Sequence, residues 1–137
     1  MFRIKKEQMD FFTEKTRRKF VDKMTAYLRA NFPQKVRPMN AEALETWVTA
    51  GVAKANRYRV TTEPEVAQLL LLFLVLGADA DEAHPWVREV LVDRDLYALG
   101  KIRRLVRRAR ERGVVGLDEV VVYREMSDRA PELMTEA

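Results

Sequence analysis

From Val66 to Leu76 the chain is apolar at every position except Gln68. A helix without a wet stripe has to be covered by other elements around most of its circumference. Its longest unbroken apolar run, Leu69 to Leu76, is eight residues. That is far short of the roughly 20 needed to cross a bilayer core. Thr62, Glu63, Pro64 and Glu65 precede it in the form of a capping box, with Thr62 as cap and Glu65 at the third helical position. Gly77 follows and suits the left-handed conformation that ends many helices. These signals predict a buried central helix over about 62–76, and hence a bundle around it.

The rest of the chain supplies that bundle. Met9, Phe12, Phe20, Met24, Tyr27 and Leu28 recur at helical steps, so the spacing predicts a first helix from about Lys5 to Asn31, stopped by Pro33. Asn40 reads as the N-cap of a second helix reaching about Tyr58, with Leu44, Trp47, Val48, Gly51, Ala55 and Tyr58 facing inward. Pro85-Trp86 opens a short fourth helix through about Val92. Asp93 or Asp95 caps a fifth that ends at Gly113. Leu117 to Tyr123 reads either as a short strand or as a docked extension. The expected architecture is all-α, a single-domain bundle of about five helices over 1–113, with a partly flexible C-terminal extension over 114–137.

Composition narrows the chemistry. The 137 residues include no cysteine and one histidine, His84, which removes disulfides, thiol catalysis and Cys-based metal sites. No glycine-rich phosphate loop is present among five scattered glycines. Glu42 with Glu45 and Glu63 with Glu65 are the close carboxylate pairs. Each falls in a predicted first turn, where it stabilises the helix dipole. The sequence therefore predicts a non-enzymatic protein without a cofactor. With no apolar stretch behind the charged start, cytoplasmic residence is the expectation.

Two constellations stand out. The acidic stretch Gly77 to His84 spaces Asp79 and Asp81 like the first two ligands of a calcium loop. Ala83 and His84 then stand where a ligand and a glycine are needed. Asp79 and Asp81 are thus weak metal candidates, and an Asx-type turn with a helix cap is the plainer expectation. The second is basic. Between Asp95 and Arg112 there are seven basic and two acidic residues, whereas the whole chain has 25 and 21. At about 100° per residue, Lys101, Arg104, Arg108 and Arg112 form one exposed stripe. Guanidinium forks suit carboxylates and phosphates alike, so the stripe is either a solvated or protein-docking face or a nucleic-acid surface. Trp86, at the mouth of the acidic stretch, is the aromatic candidate for a partner contact, with structural packing as its plainer reading; core packing is the expectation for Trp47 and Tyr27.

One further pattern is an ordered set of landmarks: Leu28 to Pro33, Gly51 to Val60, then Thr62, Glu63, Val66, the leucine run, Gly77, Asp81, Pro85-Trp86 and Leu91. In this it resembles small helical bacterial proteins encoded beside type VI secretion spike (PAAR) and effector genes. The likeness covers residues 9 to 109. Ala80 departs from it, standing where that pattern favours an aromatic. The resemblance implies an accessory role around a secreted toxin, as adaptor, chaperone or neutralising partner, and no catalytic residues. The expected function is protein binding to a secreted effector or spike component through Trp86, Lys101, Arg104, Arg108 and Arg112. A small nucleic-acid-binding module using the helix over 95–112 is the alternative.

Overall fold

The computed structural model of the chain describes residues 13–123 and Met126, and every element among them is a helix. These are α1 (Glu14–Asn31), α2 (Pro33–Val36), α3 (Ala41–Arg57), α4 (Glu63–Leu76), α5 (Ala80–Ala83), α6 (Pro85–Leu91), α7 (Ala98–Glu111) and α8 (Leu117–Val120). The chain is all-α. It groups into two compact units, Met1–Glu63 and Pro64–Ala137. The described residues beyond Gly113 fall in the second unit.

In the first unit, α1 starts later than its periodicity suggests. Thr13 has an extended backbone, and its hydroxyl oxygen accepts the Thr16 N–H at 3.3 Å. That cap fixes Glu14 as the first helical residue. Lys5 to Phe12, including the anticipated Met9 and Phe12, lie outside the described residues. The buried face of α1 is Phe20, Val21, Met24 and Leu28. Val21 shifts the centre of this stripe, leaving Tyr27 at its rim. Tyr27 is accordingly 37% exposed and tilted against Phe32, not a core residue. Pro33, which lacks an N–H to donate, opens the single turn α2, where Val36 is buried.

Asn40 caps α3 as its side chain predicts, with Oδ1 accepting the Ala43 N–H at 2.8 Å. The buried residues of α3 are Leu44, Val48, Val52 and Ala55, while Trp47, Gly51 and Tyr58 are half-buried. α1 packs on α2 and α3. The end of α3 takes an unusual residue. Val60 N–H donates to the Ala55 carbonyl and Arg59 N–H to that of Asn56, a Schellman arrangement that puts Arg59 at φ +68°. Val60, fully buried, secures the turn from below.

In the second unit, α4 is enclosed. Gln68 to Phe73 are six consecutive buried residues, more than one full turn, so every face is covered over that stretch. Gly77 ends α4 at φ +112°, its N–H on the Phe73 carbonyl. No helix among the described residues is long and apolar enough to cross a membrane. The single polar residue of α4 has a defined task. Gln68 is fully buried; its Nε2 donates to the Val120 carbonyl at 2.8 Å, and its Oε1 accepts the N–H groups of Val122 and Tyr123 at 3.0 and 3.1 Å. Of the two readings of this stretch, the docked extension is the one observed. Gly116, at φ +83°, lets the chain turn into α8. The β-branched residues after it run extended, with Gln68 supplying the hydrogen bonds a neighbouring strand would give.

Candidate functional site

α6 and α7 pack on each other, joined by a tight turn. Pro85 occupies the first position of α6, and α6 ends at Leu91. In the turn, Asp93 Oδ1 accepts the Asp95 N–H at 2.8 Å, an Asx turn. The residue that actually caps α7 is Tyr97, and its side chain makes no cap hydrogen bond. The expected capping by Asp93 or Asp95 is therefore replaced by a turn built on Asp93. α7 runs to Glu111, and Gly113 at φ +69° closes it.

This pairing brings together the residues singled out from sequence. The Arg112 guanidinium carbon lies 4.6 Å from the centre of the Trp86 ring. Arg108 Nη1 donates to Glu89 Oε1 at 3.2 Å. Arg104 Nη1 is 3.8 Å from Asp93 Oδ2. Positions 104, 108 and 112 on one element thus meet 93, 89 and 86 on the other, one contact per turn, as antiparallel helical faces require. His84 sits beside Trp86 with ring centres 6.4 Å apart. A fourth pair, Arg110 with Asp118 at 2.8 Å, ties α7 to the first turn of α8.

Partly exposed ion pairs contribute little each, about 0.2–1 kcal/mol, and a cation over tryptophan about 0.5–1 kcal/mol at such a site. The ladder orders side chains more than it stabilises the fold. Arg112→Ala is expected to cost about 0.5–1 kcal/mol in urea unfolding. A cost near zero would mean that the guanidinium and the Trp86 ring do not interact in solution.

Lys101 does not join the stripe. It is 3% exposed and has an interaction partner. Gly100, Lys101, Ile102 and Arg103 are buried in succession, so the early turns of α7 are enclosed all round and helical azimuth says nothing about exposure there. Arg104 and Arg108 are half-buried, and Arg112 is exposed. The acidic stretch also differs from expectation. It contains the one-turn helix α5, in which Asp81 is buried at 4% exposure with an interaction partner. Asp79 is exposed and makes no cap hydrogen bond. Among the described residues, no three His, Asp or Glu side chains are grouped to hold a metal ion.

Several surface features were not anticipated. Val92 and Tyr97, flanking the α6–α7 turn, are 49% and 46% exposed. Glu89 and Asp93 as arginine partners were equally hidden, although both follow Trp86 at steps of three and four. Compared with models of protein families, with curated proteins and with solved structures, the chain matches none.

Proposed function

We propose that this chain is a non-catalytic protein-binding accessory that acts in the cytoplasm on a secreted effector or spike component before export, as the resemblance to type VI secretion neighbours implies. The observation that carries the reading is the ladder of Trp86, Glu89 and Asp93 against Arg112, Arg108 and Arg104. It produces a surface of aromatic, cation and carboxylate in which Glu89 and Asp93 answer two of the three arginines, with Val92 and Tyr97 exposed at its turn. Aromatic and arginine anchors of this kind dominate protein interfaces. A phosphate backbone calls for unpaired cations instead. The ladder therefore weighs against the alternative reading of 95–112 as a nucleic-acid helix.

Affinity purification from the native cell tests the proposal. A secreted effector or spike component is expected to copurify in stoichiometric amount. Its recovery should fall roughly tenfold or more in Tyr97→Ala and Trp86→Ala variants, in line with truncation of an interface anchor. Purification without any secretion protein or toxin overturns the proposal.

A further inference from the structure

The division into units relocates the basic charge of the molecule. Residues 64–123, which include the arginine-rich helix, hold nine Lys and Arg against ten Asp and Glu. Residues 13–63 hold eleven against five, a net +6. Long-range ion pairs among the described residues of this first unit include Arg18 with Glu45 at 3.0 Å and Lys23 with Glu63 at 3.1 Å. The hydrogen bond to Glu45, and then the charges of Glu45 and Asp22, raise the Arg18 pKa above its ordinary value. Lys15, Lys19, Arg29, Lys35 and Arg37 are all exposed. None of these five has a hydrogen-bond or ion-pair partner among the described residues.

Three of the five share one side of α1. At 100° per residue, Lys15, Lys19 and Arg29 fall within an arc of about 80° and span about 21 Å of helix. Asp22 lies within the same arc and is answered by Arg18 at 3.9 Å. Lys35 and Arg37 continue the charge through α2, which packs on α1. Glu14 and Glu42, carboxylates without a partner among the described residues, sit in the first turns of α1 and α3, where they face helix dipoles.

The geometry points to a nucleic-acid phosphate backbone as the ligand of this α1–α2 face, bound without reading sequence. Protein interfaces keep an apolar core, whereas the one large apolar side chain exposed on this unit among the described residues is Tyr27. Entry into a lipid surface needs an apolar helical face, but that face of α1 is buried as Phe20, Val21, Met24 and Leu28. What remains is a row of solvated cations, the arrangement that gains affinity by releasing counterions from a polyanion. This surface belongs to the first unit, and its assignment does not depend on the reading given to the ladder of the second.

Fluorescence anisotropy with a labelled DNA duplex of about two helical turns tests the assignment. With four or five phosphate contacts, affinity should fall by a factor of about 150 to 500 between roughly 50 and 200 mM salt. The combined variant Lys15→Gln, Lys19→Gln, Lys35→Gln and Arg37→Gln should raise Kd at least about tenfold and flatten the log–log salt slope by about 3.6. Arg104→Gln with Arg108→Gln should leave both unchanged. No duplex binding at about 50 mM salt overturns the inference. So does binding confined to phosphatidylserine vesicles or to polyglutamate, or binding lost only in the Arg104 and Arg108 variant.

Discussion

Gln68→Leu is expected to destabilise the protein by about 2–4 kcal/mol and to release the segment around Val120 to Tyr123 from its place on α4. The side chain keeps most of its volume, so the loss is one of hydrogen bonding. Three backbone groups 52 to 55 residues away depend on this one amide. The Val120 contact is buried and the other two are partly so. A buried polar group left without a partner costs about 1–3 kcal/mol, while the two N–H groups can turn partly to water. Urea unfolding measures the total. Hydrogen exchange locates it, since the amides of Val122 and Tyr123 should lose protection before those of α4. A loss below about 1 kcal/mol, with those amides still protected, would show that side-chain packing alone holds the segment. Gln68→Glu is the harsher change. An ionised carboxylate keeps both acceptor roles but sets a buried negative charge against the Val120 carbonyl oxygen.

This residue also marks where sequence reading succeeds and where it stops. That α4 is buried follows from its composition, because no orientation of Val66 to Leu76 gives a wet face. Asn40, Pro85, Gly77 and Gly113 act locally, through one cap or one backbone conformation, and each does in the structure what its chemistry dictates. Thr13 was equally local, but the apolar steps through Met9 and Phe12 continue across it and hide the cap. Gln68 announces itself as an anomaly, yet its partners come from a distant stretch whose β-branched residues read equally well as a strand. The arginine ladder fails for a related reason. Periodicity assigned Arg104, Arg108 and Arg112 to one side of α7 correctly. It could not say that Trp86, Glu89 and Asp93 would lie against that side, since nothing in a helical period encodes its neighbour. Counting charge along the chain likewise singled out 95–112 as the basic region. Once the carboxylates of the same unit are counted with it, the excess lies on the first unit instead.

Arg103 and Arg107 give the sharpest separation between position on a helix and position in a fold. They stand four residues apart, about 40° in azimuth, on the same helix with the same side chain. Arg103 is 2% exposed and has an interaction partner; Arg107 is exposed. Arg103→Ala is expected to cost about 3 kcal/mol or more, combining lost packing of the stem with a partner left unsatisfied. Arg107→Ala should stay within about 0.5 kcal/mol of the parent, as exposed substitutions do. Arg103→Met divides the two contributions. It restores most of the buried stem but no donor, so recovery of less than half the loss assigns the larger share to the guanidinium. Equilibrium unfolding of the three variants decides the matter, and equal costs for Arg103→Ala and Arg107→Ala would mean that the first turns of α7 are open to water. The same enclosure takes Lys101, at 3% exposure, out of the exposed stripe.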